Sequence, residues 1–184
     1  MGKALLVIDV QNEYFAPDGA MILPDGPGGL EKIHMLLKAA RTNGIPVFHI
    51  VHERLVSAGR GFLSGTPGVE IHPSIEVLPG EQKILKHFPG SFTQTPLEAY
   101  LRRAGADELI ICGFMAQMCC DTTTRQARER GFTILYAADA TAAQDLTLMG
   151  KTVPHTRVYE TTLAVMTGFA EVLPTEEIIR RMAH

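Results

Sequence analysis

The chain has 184 residues, 46% of them hydrophobic and 20% charged, with a formal net charge of −3, which excludes a disordered chain and predicts one compact domain over 1–184. The weak negative charge gives no electrostatic case for nucleic acid or an anionic membrane, and no apolar run approaches the ~20 residues of a membrane span. A strand-like segment from Lys3 leaves no room for a signal peptide, and an odd count of three cysteines, two of them neighbours, fits a cytoplasmic protein with reduced thiols.

Residues 4–8 form an apolar run too short for a helix, as expected of a parallel strand covered on both faces. Residues 28–43 place Leu30, Ile33, Leu36, Leu37 and Ala40 on one helical stripe that stops before Gly44. Strands are predicted at 47–51 and 83–85. Thr95, Pro96 and Glu98 then have the spacing of a capping box at the start of a helix that ends near Gly105. A strand at 109–112, a helix over 118–130, a strand at 133–137, a helix over 154–168, a strand at 169–172 and a helix after Pro174 complete the order. Alternating strands and helices predict a three-layer α/β/α domain around a six-stranded parallel sheet, Rossmann-like, with right-handed crossovers. The long Gly- and Pro-rich connection at about 54–82 is expected to be a lid or interface loop.

In such a sheet, ligands bind beyond the carboxyl ends of the strands. Asp9 follows the first strand, where a carboxylate is costly to bury unless paired. Lys86 follows the third and is a natural counter-charge, although a lysine there is more often a plain surface charge. Cys119 and Cys120 lie in the turn between the fourth strand and the next helix, where free amides and the helix dipole lower a thiol's pKa and can hold an oxyanion. Cys112, inside the strand, is expected only to pack. Together an Asp, a Lys and a Cys supply base, charge partner and nucleophile for covalent acyl chemistry.

Four stretches carry a family likeness: residues 6–15 (LVIDVQNEYF), 65–68 (GTPG) through 71–73 (IHP), 86–92 (KHFPGSF), and 113–123 (GFMAQMCCDTT) with Ala127 and Gly131. In order and spacing they resemble the isochorismatase-like cysteine hydrolases, a group that includes nicotinamidases, N-carbamoylsarcosine amidases and ureidoacrylate amidohydrolases. The resemblance implies that fold, Asp9, Lys86 and Cys119 as the catalytic set, and the backbone N–H groups of Ala116 and Cys119 as the oxyanion hole. It selects Cys119 as nucleophile and leaves Cys120, where the family commonly has Val, to packing. Ala116 stands where many members carry Thr, and the family's cis peptide is expected here between Met115 and Ala116.

The implied reaction is hydrolysis of a small amide, imide or carbamoyl substrate through a thioester, with Lys86 helping to hold Cys119 as a thiolate near neutrality. Vinyl-ether hydrolysis of the isochorismatase type and a catalytically silent binding protein are the alternatives. Gln11, Phe15, Phe92, Met115 and Gln117 are candidate pocket residues for a small, partly apolar ligand. No cofactor is implied. Nicotinamidases bind a metal through an Asp-Trp-His segment that residues 49–54 lack, so no metal is expected, although His52, Glu53 and His72 could in principle converge. His155 and Asp139 are expected to serve structure. A dimer or tetramer of this chain is expected, as is common in the family. A phosphatase of the haloacid-dehalogenase type would need a second Asp where Gln11 stands, and the Gly-rich fingerprint of dinucleotide binding is missing after the first strand.

Overall fold

A computed structural model describes residues 2–17, 19–55 and 61–183. The main sheet has six parallel strands: β1 (Gly2–Ile8), β2 (Val47–His52), β3 (Gln82–Lys86), β4 (Ala106–Phe114), β5 (Thr133–Ala142) and, after a hairpin, β8 (Glu171–Leu173). Their order is β3-β2-β1-β4-β5-β8, as in doubly wound folds. The chain steps outward from β1 to β3 and then returns to the other side of β1 with β4. The switch in direction therefore opens a crevice between the carboxyl ends of β1 and β4.

Successive side chains of a strand point to opposite faces, so β1 feeds two cores at once. Leu5 and Val7 pack with Ile33, Leu36, Leu37 and Ala40 of α1 (Gly26–Thr42) and with Ile178 and Met182 of α5 (Thr175–Met182). Ala4, Leu6 and Ile8 pack with Leu97 and Leu101 of α2 (Leu97–Arg103), Ala127 of α3 (Asp121–Glu129) and Met166 of α4 (His155–Met166). This is the three-layer arrangement expected from the sequence, with both strand faces dry. Among the described residues no helix is long and apolar enough to cross a membrane.

Several boundaries differ from expectation. The capping box forms by half: the Leu97 amide donates to Thr95 Oγ1 at 3.3 Å, while Glu98 turns outward to Arg102 and Arg130. Strand β5 runs on to Ala142, because a register break between Ile111 and Gly113 lets it re-pair with β4 at Thr141 and Ala142. A two-stranded hairpin, β6 (Leu146–Leu148) and β7 (Lys151–Val153), was not expected. Its tip is Met149-Gly150, both with positive φ, and a methionine in that position carries none of the usual Asn-Gly or Asp-Gly signal.

Part of the expected loop at 54–82 lies outside the described residues, at 56–60. The remainder is strapped over the end of β1. The His72 amide donates to Val10 O at 2.9 Å, the Asn12 amide donates to Glu70 O at 3.0 Å, and Gln11 forms an antiparallel bridge with Ile71.

Gly113 fixes how closely β4 can approach β1. Its φ is +117°, and a Cβ there would fall on the backbone carbonyl of Ile8, the residue before Asp9. Gly113→Ala forces the two central strands apart and places an L-residue in an unfavourable conformation. It is expected to lower the unfolding free energy by about 3 kcal/mol or more, read from urea denaturation followed by circular dichroism.

Candidate active site

Three chain segments meet at the mouth of the crevice. Asp9 leaves β1 with φ +52°, and its amide still donates to Ile50 O of β2 at 2.9 Å. Lys86 is the last residue of β3, in register with His52 at the end of β2. Cys119 sits in a π-helical turn, Ala116–Cys120, wedged between β4 and α3. The helix expected from 118 is therefore preceded by a wider turn that starts at Ala116. The cis peptide is Phe114–Met115, one residue earlier than expected, because β4 pairs with β5 as far as Phe114 and the turn opens directly after it.

Both charged side chains are sealed from solvent. Lys86 Nζ lies 2.8 Å from Asp9 Oδ2 and donates to Cys119 Sγ at 3.3 Å and to the Phe88 carbonyl at 3.2 Å. It also approaches His52 Nδ1 at 3.4 Å. Four acceptors thus share three ammonium hydrogens, which fixes Nζ at the centre of the site. Cys119 itself is 7% exposed, the one member of the trio that the outside can reach.

The electrostatics follow from burial opposed by pairing. Burial raises Asp9 from its ordinary value despite the pull of Lys86. Burial acts to lower Lys86, but Asp9 and Cys119 outweigh it and the ammonium is held above its ordinary value. For Cys119, burial reinforced by Asp9 pushes the thiol well above its ordinary range, and Lys86 only partly offsets this. That direction is opposite to the lowering expected of a thiol in this turn. His52 is held uncharged, pushed down to about 3 by burial and then by Lys86.

The nucleophile turn is held by its neighbours. The amides of Met118 and Cys120 both donate to the Met115 carbonyl, at 3.1 and 3.2 Å, and the Tyr136 hydroxyl donates to Ala116 O at 3.4 Å. Ala116 and Cys119 occupy the first and fourth positions of the turn. Cys120 is fully buried among the α2–α4 core residues, and Cys112 is buried in the sheet. A buried hydroxyl pair joins the Lys86 loop to α3: the Ser91 amide donates to Thr123 Oγ1 at 3.1 Å, and the two hydroxyls lie 2.8 Å apart.

The candidate pocket residues fare differently. Phe15 lines a cleft of about 720 Å³ together with Asn12, Leu63, Pro67 and His72, and its ring lies tilted at 55° against that of His72, 4.4 Å between centroids. Gln11 is fully buried and its amide is committed. Nε2 donates to His52 O and Val69 O, and Oε1 accepts from the His52 amide, all at 2.7–2.8 Å. Phe92 lies in the core under Arg130, Met115 is buried, and Gln117 donates to Met115 Sδ. None of these four lines the cleft. His52 and His72 are not brought into one ligand set, and among the described residues no group of three or more His, Cys, Asp or Glu side chains is disposed to hold a metal. Asp139 accepts from the amide and hydroxyl of Thr175 at the start of α5, and Asp145 does the same for the amide of His155 at the start of α4.

Sequence reasoning missed two groups. Glu13, 5% exposed, accepts from the amides of Ala20 and Phe62 at 2.7 and 2.9 Å and so anchors the strapping loop. Phe62 stands edge-on to both Tyr14 and His52. Glu13 was visible only as part of the family-like stretch 6–15, five residues beyond the end of β1; Phe62 lay in a loop with no periodicity.

The sequence pattern of the Isochorismatase domain family matches residues 3–177. The chain is similar to the uncharacterized isochorismatase family protein YddQ of Bacillus subtilis (strain 168), with 39% identity over 98% of this chain and 100% of that protein. It is similar at 30% identity to Nicotinamidase 3 of Arabidopsis thaliana, over 76% of this chain and 72% of that one. Among solved structures, the cysteine hydrolase from Pseudomonas syringae pv. phaseolicola 1448A superposes with a TM-score of 0.91 at 28% identity, covering 98% of this chain and 92% of that chain.

Thr123→Val would leave the buried Ser91 amide and hydroxyl without their partner. It is expected to cost about 2 kcal/mol of stability in urea denaturation, with Thr123→Ser retaining most of it.

Proposed function

The chain belongs to the isochorismatase family of hydrolases, and from that premise we propose that it is a cysteine hydrolase cleaving a C–N bond of a small amide, imide or carbamoyl compound through a thioester. The observation that carries this reading is the single ammonium, Lys86 Nζ, placed 2.8 Å from a buried carboxylate and 3.3 Å from the sulfur of Cys119, the one cysteine that is not fully buried. Beyond the Lys86 ion pair, neither Asp9 oxygen has a hydrogen-bond partner in the geometry of the described residues, and the Cys119 thiol is the neighbouring donor that acts on this carboxylate. A base raised above its ordinary value is better matched to a thiol proton than a free carboxylate would be.

In this mechanism Asp9 takes the Cys119 proton as the sulfur bonds to the substrate carbonyl carbon. The oxyanion accepts from the amides of Ala116 and Cys119. Asp9 then returns the proton to the departing nitrogen, the C–N bond breaks, and ammonia or an amine leaves. Water gives a proton to Asp9 and attacks the thioester; the C–S bond breaks and the sulfur regains its proton from Asp9. Lys86 remains an ammonium throughout, holding the carboxylate and countering charge on the sulfur. The retained Cys119 favours this acyl chemistry over vinyl-ether hydrolysis, which has no need of a nucleophilic sulfur. The Arabidopsis relative, a nicotinamidase by name, is consistent with amide substrates.

Cys119→Ala and Cys119→Ser are expected to abolish turnover of a panel of small amides, imides and ureido acids, by about 10³-fold or more, with unchanged circular dichroism. Asp9→Asn is expected to be nearly as severe. Because Asp9 must be ionised to accept the proton, kcat/KM falls as pH drops through its raised value, so the acid limb lies above the ordinary 3.8. A Cys119→Ala enzyme with normal turnover, or an acid limb at or below 3.8, would reject the assignment.

A further inference from the structure

We infer that His52 is a further substrate-binding residue, whose Nε2–H recognises a second oxygen acceptor on the substrate, borne by a carbon two or three bonds from the carbonyl carbon attacked by Cys119. The inference rests on the hydrolase reading above and narrows it to imides and ureido acids, compounds with two carbonyl groups, in preference to simple monoamides.

The starting point is the proton inventory of the imidazole. Lys86 Nζ has hydrogens only to give, so at 3.4 Å from it His52 Nδ1 acts as the acceptor. The ring's own proton then sits on Nε2. Burial and the adjacent ammonium both favour the uncharged ring, and the contact with Lys86 Nζ places its one proton on Nε2. The result is a neutral donor of fixed direction.

Its orientation is set on every other side. Gln11 holds the His52 backbone by both its amide and its carbonyl, each at 2.8 Å, and the Phe62 ring stands edge-on at 5.3 Å between centroids. Among the described residues nothing accepts from Nε2, and the side chain is only partly buried. A donor fixed this firmly and left without an acceptor is unspent binding capacity. It also lies close to the chemistry, since the same Nζ that touches Nδ1 is 3.3 Å from Cys119 Sγ. A molecule of a few heavy atoms bridges sulfur and imidazole. The neighbouring ammonium favours an oxygen acceptor there and disfavours a cationic group.

The test measures hydrolysis of succinimide, N-carbamoylglycine and propionamide by the full chain and by His52→Phe and His52→Gln, with kcat and KM separated. The unmodified enzyme is expected to favour the two dicarbonyl compounds over propionamide by about tenfold or more in kcat/KM. His52→Phe, which keeps a ring against Phe62 but has no donor, should lose about tenfold on those two compounds, chiefly through KM, and about threefold or less on propionamide. His52→Gln restores an N–H donor and should recover most of the loss. An equal loss on all three compounds, or no recovery with Gln in a protein whose thermal melt is intact, overturns the inference. The ¹⁵N chemical shifts of His52 in the unmodified protein, which do not depend on either variant folding, must report the Nε2–H tautomer between about pH 5 and 8; an Nδ1–H tautomer or an imidazolium overturns it as well. Failure to hydrolyse any of the three compounds overturns the hydrolase reading and this inference with it. Turnover without the dicarbonyl preference overturns this inference alone.

Discussion

The arrangement of this molecule depends on one ion pair. Asp9 and Lys86 are both removed from water and meet at 2.8 Å. Each charge alone would carry a desolvation cost of several kcal/mol, so the pair persists only if its geometry is held and its remaining capacity is used. The two residues leave strands that are not neighbours, because β2 lies between β1 and β3. The lysine therefore reaches across the end of β2, which is why His52 stands beside its ammonium. On the other flank, β4 must come close enough to bring Cys119 to the same nitrogen, and the missing Cβ of Gly113 permits that approach to Ile8.

The pair also accounts for a thiol that is pushed up although a lysine stands beside it. Moving a proton from Cys119 to Asp9 exchanges one negative charge for another at similar distance from the same ammonium, so the net charge of the cavity is unchanged. Forming a thiolate while Asp9 remains ionised would place two negative charges on one positive charge in a dry site, and the raised Cys119 reflects that cost. In the proposed mechanism the sulfur is therefore activated at the moment of attack, with the carboxylate as the place its proton goes.

Much of this was legible in the sequence because it rests on strong local signals. The apolar run of β1, the stripe of α1 and the breaks at Gly44 and Gly131 dictate the alternation of strand and helix, and the alternation dictates the parallel sheet. Asp9, Lys86 and the Cys119–Cys120 pair stood at strand exits in the sequence, and only the family resemblance pointed to Cys119 within that pair. What escaped was set by tertiary contact. The β6–β7 hairpin has almost no turn signal, the extension of β5 depends on a register break in its partner strand, and the π turn at Ala116 depends on the carbonyl of Met115 accepting two amides.

The pocket residues show why a sequence identifies polar groups more readily than it assigns them. Gln11 and His52 are both polar and both next to the chemistry. In the folded chain Gln11 has spent its two donors on His52 O and Val69 O and its acceptor on the His52 amide. A buried amide so fully satisfied is frame, tying the strapping loop to the end of β2. His52 has one nitrogen committed to Lys86 and the other uncommitted among the described residues. Binding belongs to groups with capacity left over, and that remainder is a property of the whole hydrogen-bond network. No single position carries it, so it becomes visible only when each donor and acceptor has been matched in three dimensions.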